Sequence, residues 1–341
     1  MLAPFFAALV ATFLQASVPT ENRFEFRRAQ MGTQFRVVLY AESEVRASRA
    51  AELALDRVAE IESVLSDYRS DSELSQVQAR LASLPPGDAV AVSPDLQAAA
   101  RRGIEVAAAT GGAFDITVGP LVRLWRQART DGKLPSESEL ASAQLRSGFW
   151  NLRADHRLRF LVPGMSLDFG GIGKGYAVEE AARVLRAEGI SRFLVAGSGD
   201  IRLGESPPGA SGWKVGIVDT GNPRAEPGAF VELKDVAIST SGDTEQFVEI
   251  EGLRYSHVVD PRSGLGTRTG YLATVIASDG ATADALATAA TVLDPERSLQ
   301  IARGFRGVQL RVTARTGPSG EPAAWRTKGF PRMQFRPRSV R

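Results

Sequence analysis

The densest cluster of glycines in the chain follows an acidic residue and includes a lysine. Residues 168–176 read DFGGIGKGY, between a predicted strand that ends at Asp168 and a predicted helix over residues 176–188. Glycine lets the backbone approach a phosphate closely, and the free N–H groups at a helix N-terminus attract anions. Lys174, one of five lysines in the chain, adds positive charge. The spacing matches neither the P-loop nor the dinucleotide-binding fingerprint, so a tight turn without a ligand is the alternative.

Two oxygen-bearing side chains lie one helical turn apart further along the chain. In ADALAT, Asp284 and Thr288 are four positions apart and therefore share one face of the helix predicted over residues 282–293. With a backbone carbonyl from a nearby loop, these oxygens can hold Mg²⁺ while a substrate phosphate completes the coordination. Taken alone, such a pair is more typical of capping groups at a helix start.

Three further segments carry side chains that suit binding or catalysis. His257 lies in YSHVVDP at the end of a predicted strand, where the alternative is a purely structural hydrogen-bonding histidine. Tyr68 follows a helix in a polar loop, where an aromatic ring can stack on a planar ligand or close the edge of the core. In GAFDITVGP, Phe114 and Asp115 follow helix-ending glycines, which suits either a tight turn or a ligand wall.

The composition excludes several kinds of site. Without cysteine there can be no disulfide, thiolate metal centre, cysteine nucleophile or lipoprotein anchor. Two histidines, His156 and His257, are too few for a histidine-rich metal centre, so any bound metal must be a hard ion held by oxygen. The net charge of +2 combines a mildly acidic body, with 31 basic and 38 acidic residues up to position 302, and a basic C-terminal part. This distribution argues against a nucleic-acid partner.

The sequences at the two ends of the chain allow predictions about where in the cell the protein is located. Residues 1–20 contain an apolar run, residues 5–14, that is too short to cross a bilayer and is followed by the small residues Ala16 and Ser17. We predict a signal peptide over residues 1–20 and a periplasmic or otherwise extracytoplasmic protein; a buried N-terminal helix is the alternative. The basic tail, residues 336–341, is interpreted as a solvated extension, with peripheral association with the inner membrane as the alternative.

The elements between these ends come as runs of strands with a few helices among them. Apolar residues at helical spacing predict a helix over residues 48–66. A second helix is predicted over residues 94–110, with Ser93 as its N-terminal cap and Gly111 at its end. A hairpin is predicted over residues 149–162. Other strands are predicted at residues 31–41, 167–168, 193–196, 213–218, 230–233, 247–250, 255–259 and 272–277. This order favours the α+β class, in one domain over residues 21–335.

Eight collinear motifs resemble the ApbE family of FAD:protein FMN transferases. They are MGT at 31–33, SDYRSDSELS at 66–75, GGAFDITVGPLVRLW at 111–125, LDFGGIGKGYAVEEAARVL at 167–185, GSGDIR at 197–202, ISTSGD at 238–243, YSHVVDPRSG at 255–264 and ADALAT at 283–288. The resemblance extends over residues 31–330. It implies an ApbE-like, T-fold-related α+β fold with compact mixed sheets and flanking helices.

The resemblance also implies an activity and a set of site residues. The activity is Mg²⁺-dependent cleavage of the FAD pyrophosphate, with transfer of FMN to a Ser or Thr hydroxyl of a target protein and release of AMP. His257 is implied beside the reacting phosphates, where we predict that it acts as the base or at least orients the nucleophile. The implied FAD-binding residues are Met31, Tyr68, Ala113, Phe114, Asp115, Asp168, Lys174 and His257, and the implied Mg²⁺ ligands are Asp284, Thr288 and the carbonyl of Gly171.

Two other functions compete with the transferase. The same site with water as acceptor would be an FAD pyrophosphatase, which releases FMN and AMP. A non-enzymatic flavin-binding or flavin-donor protein is the third reading, and the complete ADALAT motif and His257 argue against it. For a transferase, the expected acceptors resemble flavin-bearing subunits of membrane electron-transport complexes, of the Na⁺-translocating NADH:quinone reductase or Rnf type.

Overall fold

The computed structural model describes residues 21–218, 228–242, 247–314 and 323–335. The predicted signal peptide and the basic tail lie outside these ranges. The helices are α1 Glu44–Leu65, α2 Glu73–Ala82, α3 Pro94–Thr110, α4 Gly119–Asp131, α5 Glu137–Leu145, α6 Gly173–Ala187, α7 Gly280–Val292 and α8 Pro295–Gly304. The strands are β1 Asn22–Gln30, β2 Thr33–Ala41, β3 Ala89–Ala91, β4 Leu152–Ala154, β5 Arg157–Phe160, β6 Phe193–Gly197, β7 Asp200–Leu203, β8 Trp213–Ile217, β9 Ala229–Leu233, β10 Ala237–Gly242, β11 Phe247–Ile250, β12 Leu253–Ser256, β13 Tyr271–Ala277, β14 Gln309–Ala314, β15 Ala323–Arg326 and β16 Gln334–Phe335.

An eight-stranded antiparallel sheet, in the order β1-β2-β6-β7-β10-β13-β14-β15, forms the centre of the fold. Successive side chains of a strand point to opposite faces, so the central strands supply apolar groups to both. In β2, Val37 belongs to the core under the helices and Val38 to the core on the opposite face. Val275 and Ile276 of β13 repeat this division. Helices α1, α6 and α7 cover the first face.

Two smaller cores complete the molecule. The three-stranded sheet β16-β9-β8 covers the other face of the large sheet, with Trp213 and Val231 packed in the core between them. On the helical side, α4 and α5 pack against the β11-β12 hairpin through Trp125, Tyr255 and Val259. This third core fixes the hairpin that leads to His257. No helix in the described ranges is both long and apolar enough to cross a membrane.

The α+β class and most predicted elements are confirmed, and the ends of the helices follow local capping chemistry. The helix predicted over residues 48–66 begins earlier, at Glu44, because the Ser43 hydroxyl accepts a hydrogen bond from the Arg46 N–H. Helix α3 begins and ends as predicted, with Ser93 as its N-terminal cap and Gly111 in the left-handed conformation at its C-terminus (φ 63°).

Two strand predictions are wrong, because the backbone groups of these residues make hydrogen bonds outside any continuous strand pairing. Residues 167–168 form no strand: the Leu167 N–H donates to the Gln78 side chain (2.6 Å) and the Asp168 N–H to the Ile116 carbonyl (2.8 Å). The strand predicted over residues 255–259 ends at Ser256, and beyond it Val259 makes only an isolated bridge.

Candidate functional site

Helix α7 is buried on nearly every side, and its oxygen-bearing residues are therefore conspicuous. Asp284 is only 2% exposed. It does not cap the helix, because Asp279 does so by accepting a hydrogen bond from the Thr282 N–H (2.9 Å). The capping alternative for Asp284 is thus removed, and its carboxylate is available for a partner outside its own helix.

That partner comes from the first turn of α6. The N–H of Gly175 donates to Asp284 Oδ2 at 3.0 Å. The two helices approach so closely that a Cβ added to Gly175 would lie 2.2 Å from the carbonyl oxygen of Gly280. Glycine at both positions lets the Asp284 carboxylate reach the amide end of α6, where the helix dipole favours negative charge.

We expect the substitution Gly175→Ala to destabilise the protein by about 3 kcal/mol, because the added methyl meets a backbone oxygen that cannot rotate away. Thermal and urea unfolding measure the change. Gly304→Ala is the matched control, since Gly304 also lies in a helix and a Cβ there meets nothing within 4 Å. We expect the control to be as stable as the wild type or slightly more stable. Equal effects of the two substitutions would contradict the close helix contact.

A buried ion pair holds the same two helices in place. Arg202 Nε donates to Glu179 Oε2 at 2.8 Å, and the same oxygen accepts a hydrogen bond from the N–H of Gly280 at 3.1 Å. Glu179 lies on α6 and Gly280 begins α7. The pair therefore fixes the start of α7, one turn before Asp284.

One turn further along α7, Thr288 faces the glycine loop and the end of β10. Its Oγ1 lies 3.4 Å from the Ser241 hydroxyl. A Cβ added to Gly171 would lie 3.0 Å from Thr288 Oγ1, so the loop backbone passes directly beside this hydroxyl. The structure thus brings Gly171 and Thr288 together, with Asp284 on the same face of the helix.

The donor set fits a hard cation. Asp284 and Thr288 supply one carboxylate and one hydroxyl, and the predicted Gly171 ligand would add a backbone carbonyl; these are the oxygen types that Mg²⁺ accepts when water and phosphate complete its shell. Burial raises the pKa of the Asp284 carboxyl, although Lys174 and the Gly175 N–H oppose this effect. A bound cation would offset the cost of this buried charge. Within the described ranges, no group of three or more His, Asp or Glu side chains forms a conventional metal cluster.

Lys174 stands among three carboxylates. Its Nζ lies 3.8 Å from Asp200 Oδ2. Burial lowers the pKa of Lys174, but the carboxylates of Asp284, Asp200 and Asp168 outweigh that effect and raise it. Lys174 is therefore a fixed positive charge beside the glycine loop.

Asp200 is buried in the same neighbourhood. Burial and the nearby Asp284 carboxylate raise its pKa to about 7, against the influence of Lys174 and of the Ser239 hydroxyl, which donates to Asp200 Oδ1 at 2.7 Å. Asp200 lies two residues after Ser198, which adopts a left-handed conformation (φ 56°) in the β6-β7 turn. The sequence motif GSGDIR contains this aspartate, but the predictions gave it no role.

The segment that follows α3 forms a rigid wall beside Gly171. Ala113 and Phe114 are buried, and the Phe114 ring would lie 3.2 Å from a Cβ on Gly171. Asp115 Oδ1 accepts hydrogen bonds from the Thr117 N–H (2.8 Å) and hydroxyl (2.7 Å), and its Oδ2 accepts from the Phe149 N–H (2.8 Å). Burial raises the pKa of Asp115. Its side chain therefore fixes the loop, and the contact with FAD implied for it stays a prediction.

Two other predicted FAD-binding residues, Met31 and Tyr68, lie in turns outside the glycine loop. Met31 occupies the turn between β1 and β2 (φ 49°), and its Cε lies 3.7 Å from the position of a Cβ on Gly173. Tyr68 is 81% exposed, and its ring stacks on the guanidinium of Arg126, 4.2 Å from Cζ to the ring centroid. Tyr68 therefore lies in the loop between α1 and α2 with its ring open to solvent, and it does not close the edge of the core; its contact with FAD stays a prediction.

Asp168 joins Tyr68 to the glycine loop through the same arginine. Its Oδ2 accepts a hydrogen bond from Arg126 (3.1 Å), and its Oδ1 accepts one from the Gly170 N–H (2.7 Å). Burial raises the pKa of Asp168, the neighbouring Asp67 carboxylate raises it further, and Arg126 opposes both. Arg126 and Asp67 were missed because nothing in the sequence indicates a contact between positions so far apart.

His257 is exposed and directly follows β12. The backbone on either side of it is pinned: the Ser256 N–H donates to the Thr267 carbonyl, and the Thr267 N–H to the Val258 carbonyl, both at 2.8 Å. Tyr255 packs on Trp125 of α4, whose ring centroid lies 5.2 Å away. Since the next residue of α4, Arg126, binds Asp168, one helix positions both His257 and the glycine loop.

Several known proteins are similar to this chain in sequence and in fold. The FAD:protein FMN transferase of Vibrio cholerae (strain O395) is 32% identical over 278 residues, which span 80% of this chain and 82% of that protein. The FAD:protein FMN transferase of Treponema pallidum is 32% identical over 304 residues, or 83% of each chain. The solved structure of flavin transferase ApbE from Vibrio cholerae covers 90% of this chain and 98% of its own, with a TM-score of 0.79 at 28% identity. The sequence profile of the ApbE family matches residues 31–312, a stretch that holds every site residue from Met31 to Thr288, and this chain belongs to that family.

Proposed function

We propose that this protein is a Mg²⁺-dependent FAD:protein FMN transferase. The observation that carries the proposal is the convergence of Asp284, Thr288 and Gly171 beside Lys174 and the amide end of α6. A diphosphate needs oxygen ligands for a cation and fixed positive charge, which here comes from the Lys174 side chain and the N-terminal end of the α6 dipole. Membership of the ApbE family supplies the flavin part of the proposal.

In this proposal the Mg²⁺ ligands are Asp284, Thr288 and the Gly171 carbonyl. The cation, when bound, supplies Lewis-acid stabilisation of the negative charge on the pyrophosphate oxygens. Lys174 adds a positive charge whose position is set by Asp200 at 3.8 Å. Glycine at positions 171 and 175 lets this loop lie directly against Thr288 and α7, which brings its backbone beside the proposed cation ligands.

The proposed reaction is a phosphoryl-type transfer to a hydroxyl. The acceptor Ser or Thr oxygen forms a bond to the phosphorus of the FMN half, and the bond from that phosphorus to the bridging oxygen breaks. The bridging oxygen leaves with AMP and its electron pair. We assign His257 to accept the hydroxyl proton, a role that an exposed imidazole can fill near neutral pH.

The acceptor and the location belong to the same proposal. We propose acceptor proteins of membrane electron-transport complexes, of the Na⁺-translocating NADH:quinone reductase or Rnf type, and a site of action outside the cytoplasm. The proposed location is supported by the apolar segment of residues 5–14, which has the length of a signal-peptide core. Fractionation of cells that express the full chain, with N-terminal sequencing of the recovered protein, tests this part.

One assay separates the candidate activities. Purified protein is incubated with FAD, Mg²⁺ and a candidate acceptor that carries a Ser or Thr acceptor site, and the products are resolved by gel fluorescence and chromatography. Covalent fluorescent flavin on the acceptor, with one AMP per flavin, is the expected result. Free FMN and AMP without labelled acceptor would identify a pyrophosphatase, and unchanged FAD would identify a flavin-binding protein.

A further inference from the structure

The loop that carries Tyr68 has a fixed backbone but an exposed ring. The buried Ser72 hydroxyl donates to the Ser66 carbonyl, and the Ser72 oxygen also accepts a hydrogen bond from the Ser75 N–H at the start of α2. The Ser75 hydroxyl donates to the Arg69 carbonyl at 2.7 Å. These bonds order the main chain on both sides of Tyr68, whereas the Tyr68 side chain is 81% exposed.

Arg126 provides the contact that holds this ring. Its Nη1 lies 2.6 Å from Asp67 Oδ2, and its Nη2 lies 3.1 Å from Asp168 Oδ2. Two nitrogens bound to two different carboxylates fix the plane of the guanidinium. The Tyr68 ring lies over that group, with Cζ 4.2 Å from the ring centroid, so one face of the ring is covered and the ring is still largely open to solvent.

We propose that Arg126 is a positioning residue for FAD, which holds the Tyr68 ring as a stacking platform and ties it to Asp168 at the start of the glycine loop. This inference rests on the proposed function. An unsupported exposed tyrosine would sample several rotamers, and a ligand that stacks on it would have to order it at the cost of affinity. Arg126 removes that cost in advance, and it also separates the Asp67 and Asp168 carboxylates with a positive charge.

The arrangement requires arginine rather than any cation. Lysine has a single terminal nitrogen and no planar surface, so it cannot bind both carboxylates in a fixed plane and support a ring at once. Arg126→Lys keeps the charge and is expected to fold, yet it should not restore the platform. Arg126→Met keeps the aliphatic part of the side chain and removes the guanidinium.

The test is a double-mutant cycle on FAD affinity, measured by isothermal titration calorimetry in the presence of Mg²⁺. We expect Arg126→Met and Tyr68→Leu each to weaken FAD binding about tenfold, as expected for loss of one stacking contact. In the Tyr68→Leu background, Arg126→Met should cost less than about threefold, because its platform is already gone. The KM for FAD should rise in Arg126→Met while kcat at saturating FAD stays within about threefold of the wild type.

Controls separate positioning from general damage. Arg129→Met removes an exposed arginine from the last turn of the same helix and should leave FAD affinity and transfer unchanged. Arg126→Lys, which keeps the charge, should bind FAD as weakly as Arg126→Met and serves as the test variant if the latter does not fold. Wild-type affinity in Arg126→Lys, or fully additive effects in the cycle, would overturn the inference while wild-type transfer upholds the function. Failure of the wild-type protein to bind FAD would overturn both.

Discussion

Replacing Asp284 with asparagine is expected to lower FMN transfer by about a thousandfold, because the cation site loses its charged ligand and with it several kcal/mol of charge stabilisation. Asparagine keeps the shape of the side chain and an oxygen that can accept the hydrogen bond from the Gly175 N–H. The contact between α6 and α7 is therefore preserved, and the effect on activity reports the charge alone. Initial rates of acceptor labelling over a range of Mg²⁺ concentrations measure the change.

The same substitution should not weaken the metal-free protein. Burial raises the pKa of the Asp284 carboxyl, which shows that its negative charge is costly where it stands, close to Asp200. Removal of that charge should leave the melting temperature without Mg²⁺ equal to or above that of the wild type. Addition of Mg²⁺ with FAD should raise the melting temperature of the wild type and fail to do so for Asp284→Asn, because ligands stabilise only a protein that binds them.

Asp279→Asn is the matched control on the same helix. Asp279 caps α7 through its bond with the Thr282 N–H, and asparagine caps helices about as well as aspartate. This variant should retain transfer and the Mg²⁺ response. Full activity of Asp284→Asn in the absence of Mg²⁺ would remove Asp284 from the cation site.

The sequence allowed much of this site to be predicted, for a physical reason. Asp284 and Thr288 lie within one helical turn, and the glycine loop is a continuous segment, so local spacing alone places each group on its element. The alternation of apolar residues in strands and the capping residues at helix ends were likewise enough to predict the α+β class. The resemblance to the ApbE family then predicted which of these separate segments form one site.

Residues that act across the fold could not be found in this way. Asp200 has a perturbed pKa only because burial and the Asp284 carboxylate, 84 positions away in the chain, act on it together. Arg126 is one of many arginines in the sequence and becomes distinctive only when α4 lies between Asp67 and Asp168. The close contact of Gly175 with Gly280 is equally invisible before the helices are packed. Local sequence patterns predict which residues can take part in binding or catalysis. Tertiary contacts determine which other groups shift their pKa values and fix their orientation.

His257→Ala is expected to retain FAD binding and to lose FMN transfer by a factor of about 10²–10⁴, the usual contribution of a general base. His257 is exposed at the end of β12, and its backbone is pinned by the bonds between Ser256, Val258 and Thr267, so removal of the imidazole should leave the fold intact. Calorimetric titration with FAD and the rate of acceptor labelling, measured on the same preparation, separate binding from transfer.

The chain contains its own control for this experiment. His156 is the only other histidine, and it lies exposed in the turn between β4 and β5, in a different sheet. His156→Ala removes the same group and should transfer FMN at the wild-type rate. If the base is all that His257→Ala lacks, added imidazole should restore part of the transfer to that variant and leave His156→Ala unchanged. Transfer by His257→Ala at the wild-type rate would exclude the base role, and it would leave the cation site and Lys174 as the groups that must supply the rate.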